Sequence, residues 1–194
     1  MMKAKRSTGN DVKRERKVRR FVDPQGQKAN INGRSLEAEV EATLAQYGVL
    51  SVKYSQWGAR ENIPVSDYKN GLLLKNVPYI NYKGTIGRGE FVLARHKYSD
   101  VRIEVRSQNV RGTAAEKLPA LFENALCFKE ETVILVVDGK GFDKADLKWL
   151  KDKCKSVKNK TIYMMSLVEF KEWASINLDP NMTSYIRANL TIRK

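Results

Sequence analysis

The sequence predicts an α/β fold: a mixed central β-sheet, in which an antiparallel hairpin feeds parallel strands, flanked by helices. Three observations carry this. "TVILVVDG", residues 132–139, is a continuous apolar, β-branched run of the kind found in a strand covered on both faces. Helix-, strand- and helix-patterned stretches follow it in that order, which implies a parallel crossover. "VRIEVRSQ", residues 101–108, alternates Val101, Ile103 and Val105 with Arg102, Glu104, Arg106 and Gln108. That is the pattern of a half-buried strand, and "EFVLAR" across the polar turn "HKYSD" supplies its antiparallel partner.

Taken in order, the globular part begins near Asn32. "GRSLEAEVEATLAQYGV" places Leu36, Val40, Leu44 and Tyr47 on one helical face, and Gly48 stops the helix. "VLSVKYSQW", residues 49–57, reads as a strand. "GLLLKNVPYINY" is a further strand, with Pro78 suiting an end or an edge because it lacks an amide donor. "GTIGRGE" reads as a turn, since it is neither a phosphate-binding loop nor a strand-borne dinucleotide motif. After the hairpin, "GTAAEKLPALFENAL" is helical with Leu118, Leu121, Phe122 and Leu126 apolar, and Pro119 suits its early part. "FDKADLKWLKDKCKS" reads as a helix, "TIYMMS" as a strand and "LVEFKEWASINL" as a helix. Trp57, Trp149, Trp173, Tyr79 and Tyr82 read chiefly as packing residues, with stacking on bases the alternative for the two tyrosines. His96 falls in the predicted turn and reads as surface.

Length and composition bound the function. The 194 residues suit one domain with a real core. No apolar run approaches a membrane span, and the polar N-terminus is no secretory signal, so a cytoplasmic protein is expected. Cys127 and Cys154 stand far apart without a CxxC, which predicts reduced thiols and no zinc site. The net charge of +14 calls for a polyanionic partner. Half of it resides in residues 1–30, where ten basic residues face Asp11, Glu15 and Asp23. Residues 1–32 are therefore expected to form a basic arm that orders on binding, with Arg14, Arg16, Lys17, Arg19 and Arg20 among its phosphate contacts, and residues 33–194 the folded domain. Arg88 and Arg111 are candidate contacts within that domain.

Acidic residues are disfavoured on strands, and adjacent ones repel. Glu90 and Glu104 nonetheless lie on the two strands of the predicted hairpin. With the turn at Tyr98–Ser99, Glu90 falls opposite Ser107, beside Arg106 and within a residue or two of Glu104, given register error. Two carboxylates converging at a sheet end suit a hard divalent cation such as magnesium, which takes one or two carboxylates plus waters and substrate phosphate. Arg106 projects from the same face toward a phosphate, and Gln108 follows two positions on.

An acidic residue, a β-hairpin and then acidic-x-basic resembles the PD-(D/E)XK nuclease superfamily. The resemblance extends from about Gly33 to Trp173, strongest over residues 84–127. There "GRGEF…IEVRSQNVRGTAAEKLPALFENAL" is similar to a phage and bacterial branch with an IE-x-K-x-Q strand, a glycine-containing loop and a helix opening on small residues and Glu-Lys. It implies a restriction-endonuclease-like fold and a Mg2+-dependent DNA endonuclease, Mn2+ substituting. Glu90 and Glu104 would be metal ligands, with Glu37 or Glu41 of the opening helix reaching the metal and Glu37 favoured. DNA is the implied partner, no membrane is involved, and a homodimer is expected for cutting both strands.

The sequence departs from the family pattern where lysine is expected, since Arg106 stands there. Arginine stays protonated and steadies a phosphate without acting as a base. Three readings follow: Arg106 contributes electrostatics alone, Lys117 reaches the site from the next helix, or the fold binds nucleic acid without cutting it. A small basic RNA-binding component is a further alternative.

Overall fold

The computed structural model describes residues 24–59, 65, 68–95, 98–109 and 114–179. Arg14, Arg16, Lys17, Arg19, Arg20, Arg111 and His96 lie outside the described residues. Six strands form one sheet in chain order: β1 (Leu50–Lys53), β2 (Leu72–Ile80), β3 (Ile86–Ala94), β4 (Val101–Ser107), β5 (Thr132–Asp138) and β6 (Thr161–Met165). β1 and β2 are parallel, β2–β3–β4 antiparallel, and β4–β5–β6 parallel. The mixed α/β sheet expected from the sequence is therefore present.

Helices cover both faces. Leu36, Val40 and Leu44 of α1 (Pro24–Ala45) meet Phe170, Ala174 and Leu178 of α5 (Leu167–Leu178) over Leu73, Phe91, Leu93, Ile103, Ile134 and Val136. On the other face α3 (Ala114–Cys127) and α4 (Lys144–Ser156) bury Leu118, Leu121, Phe122, Ala125 and Leu150 against Val133, Leu135 and Val137. A short α2 (Tyr54–Ala59) helps cover β2 with Tyr54 and Trp57.

Several expectations need correction. α1 starts at Pro24, so the helix extends well ahead of the Gly33 start read from its apolar stripe. The run from Val49 to Trp57 is only a four-residue strand, because the chain turns into α2 at Tyr54. "GTIGRGE" is mostly strand, the turn falling at 81–85. Pro119 sits in the interior of α3, and Ala125 rather than Leu126 turns inward. Tyr82 is exposed rather than packed into the core, while Trp149 stands partly in solvent with its ring 6.4 Å from that of Phe122. The hairpin register is also three residues from expectation: Phe91 pairs with Ile103 and Val92 with Arg102, so one further step brings Glu90 to Glu104 rather than to Ser107.

The largest correction concerns β4. Its alternation suggests one wet face, yet Val101 through Val105 are all buried. Arg102, 1% exposed, lies within the protein and donates from Nε and Nη2 to the Glu130 carboxylate at 3.3 and 3.5 Å. Its Nη1 donates to the Val77 carbonyl at 3.4 Å, and its guanidinium lies 4.4 Å from the centre of the Phe128 ring. A buried guanidinium is tolerable only when its charge is matched and its nitrogens have acceptors. Here each of its three nitrogens donates to one, with Glu130 supplying the opposite charge.

Arg102→Met leaves Glu130 buried without its cation and is expected to cost about 3–5 kcal/mol. Arg102→Met combined with Glu130→Leu recovers much of that, because an apolar pair replaces both charges. Denaturant midpoints of the two variants provide the check, and equal losses would remove the ion pair from this account.

Candidate active site

β3 and β4 bring the acidic pair together at the middle of β4, where Glu104 is in register with Leu135 of β5. Glu104 enters from the central strand and is 2% exposed. Glu90 approaches it from β3, and Arg106, two residues beyond Glu104, bridges them. Arg106 Nη1 donates to Glu90 Oε1 and, at 2.6 Å, to the Val105 carbonyl, while Nη2 stands 3.8 Å from Glu104 Oε2. Arg102 Nη1 lies behind, 3.9 Å from Glu104 Oε1. Arg106 keeps more than a third of its side chain in solvent, whereas Arg102 is sealed.

Two carboxylate oxygens remain: Glu90 Oε2 and Glu104 Oε1 are buried and have no hydrogen-bond partner. Buried carboxyl oxygens without partners are costly, and carboxylate oxygens are hard ligands of the type that magnesium or manganese binds. The pair fits a divalent ion in this respect. Among the described residues no group of three or more His, Cys, Asp or Glu is placed to hold a metal, so the donor set rests on two carboxylates.

The electrostatics separate the two acids. Burial, then the hydrogen bond to Glu90 and its negative charge, push Glu104 well above the ordinary carboxylate range. Burial acts to raise Glu90 too, but its hydrogen bond to Glu104 and the Arg106 charge outweigh this and hold it below that range. Glu104 therefore keeps its proton to higher pH than an ordinary glutamate, and Glu90 releases its own at lower pH. For Arg106, burial acts to lower the pKa, and the two carboxyls overcome it, so the guanidinium stays charged.

Gly89 completes the packing. A methyl group at this position would overlap Glu104 Oε1 and Arg102 Nη1, so the absence of a side chain leaves room for the carboxylate. Tyr79 crosses the same region, its ring 4.6 Å from Phe128.

Of the residues singled out from sequence, Glu90, Glu104 and Arg106 come together. Glu37 and Arg88 line an open cleft of about 160 Å³ with Glu90, Gly89 and Asn76. Glu41 lines it as well, but is joined to Lys75 at 2.7 Å. Gln108 follows β4, its amide donating to Asp138 and its carbonyl accepting from Gly141. Lys117 is exposed on α3 and makes none of the contacts described above. Arg102, Glu130 and Gly89 escape a sequence reading, whereas Tyr79, expected to pack, does so against Phe128. Only Arg102 carries a signal, as a basic residue in the same alternating series as Glu104.

A family model for the PD-(D/E)XK nuclease superfamily domain matches residues 28–178. No curated protein matches the chain.

Between the ordinary glutamate range and the raised value of Glu104, the folded chain holds a proton that the unfolded chain has released. Stability without metal is therefore expected to fall as pH rises through that window. Glu90 acts oppositely: below the ordinary range, stability falls as pH falls. Glu104→Gln is expected to flatten the upper slope, read from denaturant midpoints between about pH 5 and pH 8. An unchanged slope would assign the proton elsewhere.

Proposed function

Because this chain belongs to the PD-(D/E)XK nuclease superfamily, we propose that it is a divalent-metal-dependent DNA endonuclease that hydrolyses phosphodiester bonds. The observation carrying this reading is the pair of buried, unpartnered oxygens on Glu90 and Glu104, beside a guanidinium that reaches solvent. Glu90 and Glu104 would hold Mg2+, or Mn2+ in its place, with Glu37 across the cleft acting through water. The bound ion would supply Lewis acidity toward phosphate and water.

The remaining roles belong to the chain itself. Arg106 presents a permanent positive charge where a scissile phosphate meets the carboxylates, and steadies the charge developing on it. It cannot take a proton from water, so it acts through electrostatics alone. Arg102 fixes the inner side of Glu104. Gln108 and Lys117 are assigned supporting roles, orienting water and contacting the backbone. Arg88 on the cleft rim, Arg111 and the basic segment holding Arg14, Arg16, Lys17, Arg19 and Arg20 supply affinity that weakens with salt. Cutting both strands with one such site per chain calls for a homodimer. Among the described residues, no helix is long and apolar enough to cross a membrane.

A second reading is favoured by the ion pair between Arg106 and Glu90. If that pair stays closed, the fold binds nucleic acid and does not cut.

A nicking assay on supercoiled plasmid separates the two. Nicking is expected with Mg2+ or Mn2+, is expected to stop with chelator, and should fall in Glu104→Ala by more than the roughly 10–100-fold that changes around a metal's ligands cost. Absence of nicking with either metal, together with DNA binding indifferent to metal, would leave the binding-only reading.

Gly89→Ala tests the packing behind the site. It is expected to lose nicking by displacing the Glu104 carboxylate, and to lower the thermal midpoint as well, because the added methyl also meets the buried Arg102 guanidinium. Full activity in this variant would mean that the carboxylate tolerates displacement.

A further inference from the structure

The nuclease reading leaves one prominent feature unused. β1 pairs with β2 only over Leu72–Lys75, and β3 pairs with β4 only over Phe91–Leu93. From Asn76 to Glu90 the two strands continue to pair with each other, Val77 with Gly89, Pro78 with Arg88, Tyr79 with Gly87 and Ile80 with Ile86. The base of this two-stranded ribbon stays packed on the domain through Val77, Tyr79, Gly89 and Glu90, and its tip exposes Ile80 and Ile86. Its base is marked by Asn76, whose φ of 57° lies in the left-handed region that asparagine tolerates.

The tip is preformed. Asn81 Oδ1 accepts from the amides of Lys83 and Thr85 at 2.9 and 3.1 Å, and its Nδ2 donates to Thr85 Oγ1 at 2.8 Å. Gly84 takes the positive φ of the turn, 77°, and its amide donates to the Asn81 carbonyl. Asn124 of α3 accepts from the Tyr82 amide, which braces the ribbon against the domain.

This rigid tip presents apolar surface. The cross-strand partners Ile80 and Ile86 are 57% and 76% exposed, and Tyr82 is 44% exposed with the Lys83 ammonium 5.5 Å from its ring centre. From Leu72 to Gly89 the chain carries Lys75, Lys83 and Arg88 and no acidic residue. Apolar side chains flanked by cations suit a polyanion whose interior is apolar. The ribbon also runs directly into Glu90, which lies four positions beyond Ile86, about 13 Å of strand. That span corresponds to about four base steps of duplex.

We propose that this ribbon is the substrate-reading element, seated in the DNA major groove beside the cut with Ile80 and Ile86 against the apolar edges of bases. The inference rests on the nuclease reading. The major groove, about 12 Å wide, admits a two-stranded ribbon, and the thymine methyl is the apolar group displayed there. Lys83 and Arg88 meet the flanking phosphates, and Tyr82 lies over the groove wall.

The test is duplex binding by the full chain in chelator, measured across salt concentrations. Ile80→Thr with Ile86→Thr keeps β-branched residues in the ribbon and is expected to weaken binding about tenfold without changing the salt slope. Lys83→Ala with Arg88→Ala is expected to lower that slope by about one per charge removed. Replacing thymine by deoxyuridine removes the methyl groups and is expected to weaken the wild type but not the threonine variant. Unaltered binding by the threonine variant overturns the inference and leaves the nuclease reading standing. Weakened binding that ignores thymine methylation overturns the major-groove assignment. A threonine variant that turns a dimer into a monomer, seen by sedimentation, assigns the pair to a contact between chains and also overturns it. A wild type that binds no duplex overturns the nuclease reading and this inference together.

Discussion

The site depends on the buried guanidinium of Arg102. A glutamate in the middle of a central strand, with apolar helices on either side, has no water to solvate it. Arg102 makes the position tolerable by bringing a positive charge to the inner side of Glu104, while Glu130 and Phe128 hold that charge in place. The carboxylate is not directly bonded to it: the separation of 3.9 Å leaves Oε1 open. Full pairing would satisfy the oxygen and make it a poor ligand, and removal of the cation would make the strand costly to fold. The arrangement lies between these limits, supported from behind and open in front.

Arg106 is the second cation, and it differs from the first in exposure. It bonds Glu90, faces solvent and lies two residues along the same strand. The two arginines bracket Glu104, one fixed by packing and one able to exchange partners. As an arginine, Arg106 can hold two oxygens at once, where an ammonium would act as a point charge.

Much of the fold is legible in the sequence because periodicity reports burial. The apolar run of β5 and the stripe of α1 are read correctly, and so is the hairpin that brings an acidic pair together. What escapes has physical causes. Arg102 and Glu104 look like a wet face because alternation cannot tell solvent from a buried partner 28 residues away, and Glu130 carries no local mark of that partnership. Gly87 and Gly89 look like turn residues, yet they stand in a strand because side chains press against them, Tyr79 on the first and Glu104 on the second. The register error arises because turn placement in "HKYSD" rests on composition, whereas pairing is set by Phe91 and Val92 against Ile103 and Arg102.

The sheet has its strands in the same spatial order as in the chain. Each strand pairs with the one made just before it, so none has to be threaded between two that are already joined. The β2–β3 and β3–β4 connections, residues 81–85 and 95–100, are short and cost little entropy to close, whereas the parallel pairings wait on longer connections that carry α2, α3 and α4. Such a sheet can grow from one edge to the other as the chain leaves the ribosome, with local pairings forming ahead of distant ones. Glu130 comes late in that order, following β4. Arg102 therefore emerges before its counter-ion, and the central strand acquires its final electrostatic balance only when the chain beyond α3 folds back onto it.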